Sequence, residues 1–135
     1  MPERLSWAEY GLAIADAVAT RSEDPWACVG AVLFRGDNTV VSVGYNGAPS
    51  GMDIDWSSKK ARDRHVIHAE VNALRYATPR EAEWLASTRH PCPNCLLLLR
   101  SNSVMEVVYR ERGGSSHDEA MVLAKELGMN VWRIP

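Results

Sequence analysis

Cysteine is scarce in this chain of 135 residues: there are three, an odd count, and two of them form C-x-x-C. Glu3 and Glu9 interrupt the opening "MPERLSWAEY", so it does not read as a secretion leader. Together these features argue against a disulfide framework and for metal or redox chemistry. Neither sign of charge is in excess, since 15 Lys and Arg face 17 Asp and Glu, for a net charge of −2. A basic groove for nucleic acid is therefore not expected. No apolar run approaches the roughly 20 residues that span a bilayer, which excludes a membrane helix. Repeats and low-complexity stretches are also missing. What remains is expected to be one cytoplasmic domain over 1–135, 46% hydrophobic and long enough to bury a core.

Periodicity supplies the elements. Ser6 and Glu9 match the capping box S-x-x-E and open a helix to about Arg21, with Trp7, Gly11, Ile14 and Val18 at helical spacing. "SEDP" stops it, because Asp24 precedes a proline. "VGAVLF" and "TVVSVGY" flank "RGDN" and predict a hairpin whose first strand is covered on both faces. Residues 46–60 read as a long loop, and "KKARDR" within 59–64 as solvated surface. Cys28 reads as a small buried hydrophobe. A helix is expected from about His68 to Ala77, a strand from Trp84 to Thr88, and a buried helix over "CPNCLLLLRSN". "MEVVYR" then predicts a strand, "HDEAMVLAKEL" a helix stopped by Gly128, and "NVWRI" a last strand parallel to "MEVVYR". The order α-β-β-α-β-α-β-α-β predicts an α/β protein: a three-layer α/β/α arrangement around a mixed, mostly parallel sheet of five strands.

Two short stretches carry chemistry. "HPCPNC" places Cys92 and Cys95 at i and i+3, on one side of a first helical turn, where the helix N-terminus favours thiolates and Pro93 is tolerated. "VIHAEVNAL" places His68 at the entrance of another helix. Two thiolates and one imidazole are a three-ligand set for a catalytic zinc, which leaves a fourth position for water. Glu70, two residues after His68, is placed to take a proton from that water and pass it on. Hydrolytic removal of an amine from a nucleobase needs this division of labour. H-x-E…P-C-x-x-C is the established signature of zinc deaminases, so this match is to a known pattern. Taken singly, C-x-x-C also fits a redox pair or a structural zinc closed by Cys28, His65, His90 or His117. His65 and His90 fit solvent or turn positions, with a supporting place beside the metal as the alternative.

The sequence resembles the deoxycytidylate (dCMP) deaminases of the cytidine deaminase superfamily almost end to end. The likeness lies in "SWAEYGLAIADAVATRSEDP", "VGAVLF", "GYNGAPSG", "HAEVNAL", "HPCPNC" and the late "DEA". It implies a cytidine deaminase-like fold and conversion of dCMP to dUMP for thymidylate synthesis. It also implies one Zn2+ per chain on His68, Cys92 and Cys95, with Glu70 as proton shuttle. By the same resemblance the Ala69 N–H meets the pyrimidine carbonyl and Asn46 the base or the deoxyribose 3′-hydroxyl. Family analogy adds a hexameric homo-oligomer, dCTP and dTTP as effectors, and an effector loop around Gly44, Tyr45 and Gly47.

The chain departs from the family after "VVY", where "RERGGSS" puts Gly113-Gly114 in place of a bulky pair. Arg110, Arg112 and Ser115 are the candidates there for holding a phosphate, since a glycine-rich turn before a helix exposes N–H groups. The loop from Met52 to Arg64 lacks extra Cys and His ligands, so a second structural zinc is not expected. Two alternatives stay open. One is a deaminase for another cytosine compound, such as deoxycytidine, a modified dCMP or dCTP. The other is a zinc-stabilised binding module without catalysis.

Overall fold

The computed structural model describes residues 3–135; the first two residues of the N-terminal stretch lie outside the described residues. Ten elements follow in order: α1 (Trp7–Ala19), β1 (Gly30–Phe34), β2 (Val40–Tyr45), α2 (Lys59–His65), α3 (Ala69–Leu74), β3 (Trp84–Arg89), α4 (Pro93–Ser101), β4 (Glu106–Glu111), α5 (His117–Glu126) and β5 (Asn130–Arg133). One five-stranded sheet runs β2-β1-β3-β4-β5. β1 is antiparallel to both β2 and β3, while β3–β4 and β4–β5 are parallel. The sheet is thus evenly mixed rather than mostly parallel. The hairpin reverses β2, and the 38 residues between β2 and β3 (46–83) return the chain to the far side of β1.

Alternation along the strands divides the core. Val32 and Phe34 of β1, Trp84 and Ala86 of β3, and Val108 of β4 pack with Leu12 and Ala15 of α1. Ala31, Leu33, Leu85 and Val107 point the other way, into α3, α4 and α5. A period of two along each strand requires this split. Phe34 and Trp84 stack at 4.0 Å and 8°, which fixes β1 against β3. The result is the three-layer α/β/α arrangement.

Several local expectations hold and several shift. The Ser6–Glu9 capping box is formed in both directions. The stripe that α1 buries runs through Gly11, Leu12 and Ala15, not through Trp7, which is 53% exposed. Gly128 ends α5 with φ +71, a conformation that suits glycine. Of the four α4 leucines, Leu96 and Leu99 are buried with Cys95, while Leu97 and Leu98 face outward, so this helix is amphipathic rather than apolar all round. Residues 59–65 form a helix that the sequence reading took for surface loop. Cys28 is exposed, a correction to the buried position expected of it. It sits before β1 begins, outside the strand whose burial it was assigned.

Candidate functional site

Two helix entrances meet at the site. His68 is the N-cap of α3 and Cys92 the N-cap of α4, each in extended conformation and without a side-chain cap bond. Their side chains are therefore free to turn toward each other. Pro93 occupies the first turn of α4, where its missing N–H costs nothing. The Nδ1 of His68 lies 3.3 Å from Cys95 Sγ and 3.4 Å from Cys92 Sγ. All three donor atoms fall within 4.8 Å of one another. Bonds of about 2.3 Å to sulfur and about 2.0 Å to nitrogen would hold tetrahedral neighbours roughly 3.6 Å apart. The residues present thus fit a zinc ion, through Nδ1 of the imidazole.

The electrostatics of the cluster follow from its closeness. The Cys95 thiol hydrogen-bonds the Cys92 sulfur and, with His68, brings the Cys92 pKa down to about 4, against a smaller opposing effect of burial. Cys95 is pushed up in turn, first by that hydrogen bond and then by burial. His68 is raised above the usual imidazole value chiefly by its bond to Cys92. Glu70, the second residue of α3, is 4% exposed, and burial raises it above the usual carboxylate range. A carboxyl group with a raised pKa beside a metal-ligand set is suited to receive and return a proton.

A cavity of about 220 Å3 opens beside the cluster. Its wall includes Asn46, His68, Ala69 and Glu70, as well as the guanidinium-bearing Arg62, Arg89 and Arg112. Glu70 is the only acidic residue in that wall. Gly114, Ser115, Ser116 and His117, at the N-terminus of α5, complete it. Gly113 has φ +91, and a Cβ at Gly114 would come within 3.1 Å of the Arg89 guanidinium. The Gly113-Gly114 departure therefore makes room for Arg89. A larger hollow of about 930 Å3, between α1 and the β4–β5 side of the sheet, contains no His or Cys in its wall.

The cytidine and deoxycytidylate deaminase zinc-binding region is the family model that matches, over residues 5–111. The chain belongs to this family. A deoxycytidylate deaminase of Pongo abelii is 32% identical over 126 residues, covering 86% of this chain and 71% of the relative. One from Mycobacterium phage D29 is 36% identical over 124 residues, covering 78% of this chain and 95% of the relative. Among solved structures, the dCMP deaminase of cyanophage S-TIM5 in complex with dCMP and dUMP has a TM-score of 0.83. Its identity is 22%, covering 98% of this chain and 100% of that one, so the likeness establishes a deaminase fold.

Within this deaminase fold, the residues singled out from sequence divide. His68, Ala69, Glu70, Cys92, Asn46, Arg112 and Ser115 all reach the one cavity, with Cys95 beneath it. Arg110 does not: its guanidinium pairs with Asp16 on α1. Gly44 is not in the wall of this cavity either; a Cβ there would come within 2.4 Å of the Ala73 backbone nitrogen, so it seats α3 on β2. Tyr45 and Gly47 line a separate hollow of about 520 Å3 with Arg21, Glu23 and loop 48–56.

Sequence reasoning missed Arg62 and Arg89 as cavity residues, named His117 only as a possible fourth ligand of a structural zinc, and placed His90 in a turn or in solvent, with a place beside the metal as the alternative. His90 is 7% exposed, hydrogen-bonds the Pro91 carbonyl at 2.8 Å, and packs edge-on to His117 at 4.7 Å. Burial lowers its pKa. The Nδ1 of His117 is buried without a hydrogen-bond partner among the described residues. The one sequence signal for Arg89 and His90 was their place directly before "PCPNC".

Proposed function

We propose that this deaminase converts dCMP to dUMP, with His68, Cys92 and Cys95 as ligands of one zinc ion and Glu70 as the proton carrier. The reading rests on one arrangement: a His-Cys-Cys cluster and a buried carboxyl at the floor of a cavity walled by three arginines. Zinc bound there would supply a Lewis acid that makes water acidic near neutral pH. Water adds its oxygen to the ring carbon and ammonia leaves. Glu70 accepts the proton given up by water, delivers it to the ring nitrogen, and assists the departing amine. The Ala69 N–H, in the first turn of α3 where no intrahelical acceptor exists, meets the pyrimidine carbonyl. Asn46 meets the sugar.

The arginines favour a phosphorylated substrate over a bare nucleoside. Guanidinium groups match phosphate oxygens in geometry and charge; Arg62 is already paired with Asp24 and Asp63, which leaves Arg89 and Arg112 to meet a phosphate. We assign the 5′-phosphate to Arg89, Arg112 and Ser115 beside the N-terminus of α5. Ammonia release from dCMP and from deoxycytidine by zinc-loaded protein tests the reading. Preference for dCMP is expected; turnover of deoxycytidine alone would place the phosphate outside the cavity.

The proposal extends to use and control of the product: dUMP for thymidylate synthesis, activation by dCTP and inhibition by dTTP, and a hexamer of one-domain chains. The hollow beside Tyr45 and Gly47 is where an effector nucleotide would be sought. Rates measured with added dCTP or dTTP, alongside light scattering of the purified protein, test these points. The family match and the relatives named deoxycytidylate deaminases support the substrate, while the effectors, the hexamer and the use of dUMP rest on family resemblance.

A further inference from the structure

Asp24 entered the sequence reading only as the residue that stops α1. In the structure its side chain is wholly buried and collects four donors. Oδ1 accepts from the N–H groups of Trp26 at 2.8 Å and Ala27 at 3.3 Å. Oδ2 accepts from Asn46 Nδ2 at 3.1 Å and Arg62 Nε at 2.7 Å. The second Nδ2 hydrogen of Asn46 goes to the Ala27 carbonyl at 2.8 Å, and its Oδ1 accepts from the Val29 N–H at 2.8 Å. Both donors of the amide are thus used inside the protein, and its oxygen keeps one free lone pair.

We infer that Asp24 is a positioning residue that fixes the Asn46 amide so that only an acceptor faces the substrate. The reversed amide would set its oxygen against the Asp24 carboxylate and the Ala27 carbonyl, and its NH2 against the Val29 N–H. Each of those contacts is repulsive, so Asp24 and its neighbours select one orientation. Asn46 lines the cavity. What it recognises there must bring a hydrogen, as a sugar hydroxyl does and a carbonyl or ether oxygen does not. Arg62, from α2, braces the same carboxylate and lines the same cavity, so the segment after α1, the turn after β2 and helix α2 hold this acceptor together. The inference rests on the reading that Asn46 meets the deoxyribose hydroxyl.

The test compares dCMP with its 3′-deoxy analogue, which lacks that hydroxyl, by kcat/KM. The unaltered protein is expected to prefer dCMP by about tenfold or more, as a site does when its polar group is left unpaired by the analogue. Asn46→Ala removes the acceptor and should bring the ratio near one. Asp24→Asn presents an NH2 to two donors whichever way it turns, which frees Asn46 to flip. It should lose the preference as Asn46→Ala does, with zinc content unchanged. Asp24→Asn retaining the full preference overturns the positioning role. A preference unaltered in Asn46→Ala overturns the hydroxyl reading itself, a different failure. Should Asp24→Asn not fold, hydrogen exchange of the Asn46 side-chain amide in the unaltered protein decides. Two slowly exchanging hydrogens are expected, and exchange at the rate of a solvated amide overturns the inference.

Discussion

Arg110 on β4 closes an ion pair with Asp16 on α1, across 94 residues of sequence. The pair sits at the surface, with side chains 35% and 50% exposed, so its contribution to stability is small, about 0–1 kcal/mol. Its larger consequence is for function, because it turns this guanidinium away from the cavity. Arg112, two residues on, is in the cavity wall. Arg112→Ala is therefore expected to raise KM for dCMP about tenfold, the effect of losing one charged hydrogen bond of about 1.5 kcal/mol. KM for deoxycytidine should not move. Arg110→Ala should leave both unaltered. Steady-state kinetics on the two substrates measures this, and equal effects of the two substitutions would refute the assignment.

The metal-free protein should carry a reactive thiolate at Cys92. Its pKa of about 4 lies far below the roughly 8.5 of a free thiol. Alkylation of Cys92 is thus expected to hold nearly level from pH 8 down to about 5 and to halve near 4, whereas a free thiol slows tenfold per pH unit over that range. The sign for stability is the same. A folded value below the unfolded one adds stability that is fully present above about 8.5 and is lost as pH falls through 4. Cys95, shifted upward, works in the opposite sense: its contribution is present below the unfolded value and is lost at higher pH. Alkylation mapped by mass spectrometry checks the profile. Zinc should suppress it, and Cys92→Ser should abolish both labelling there and metal retention.

What the sequence made legible was local. A capping box, two β-branched runs around "RGDN", and C-x-x-C at a helix start each declare themselves within a few residues. So do His68 and Glu70, spaced by one alanine at a helix entrance. The groups that shape the cavity arrive from elsewhere. Arg62 comes from a seven-residue helix with no buried residue and no apolar periodicity to reveal it. Arg89 closes a strand otherwise buried along its length, and the space it occupies exists because residues 113 and 114 lack side chains. Cys28 was misplaced for a related reason: its apolar neighbours belong to β1, and the residue itself precedes the strand. Asp24 looked like a helix stop because its four donors are backbone groups and side chains from three separate segments.

Glu70→Gln isolates the proposed proton carrier from the rest of the site. Glutamine is nearly isosteric, and Glu70 is not in the His-Cys-Cys cluster, so zinc content and dCMP binding are expected to persist. Turnover should fall by about 10²–10⁴, the usual worth of a positioned general acid–base. Because burial keeps the Glu70 pKa high, neutralising it also removes a buried charge at alkaline pH, and the variant should unfold at equal or higher urea than the parent. Equilibrium dialysis for zinc, ammonia release and urea titration give the three readings. Full activity in the variant would eliminate Glu70 as the carrier.

Arg62 and Lys59 stand one turn apart on α2 and offer a direct contrast between a buried and an exposed ion pair. Arg62 meets a carboxylate that is 0% exposed, whereas Lys59 pairs with Asp63 in the open, at 64% and 48% exposure. Removing one partner of a buried pair costs about 3–5 kcal/mol, because the other charge is left in a poorly solvated place. Here the cost is discounted. Asp24 retains the Trp26, Ala27 and Asn46 donors, and Arg62 is itself 21% exposed. Arg62→Met is thus expected to lower stability by about 2–3 kcal/mol, and Lys59→Met by less than about 1 kcal/mol. Raised salt should narrow the Lys59 effect and leave most of the Arg62 effect, since screening reaches exposed charges far better than buried ones. Urea unfolding of the zinc-loaded variants at low and high salt measures both. Equal losses for the two would mean that the Trp26, Ala27 and Asn46 donors suffice to hold the Asp24 carboxylate without Arg62.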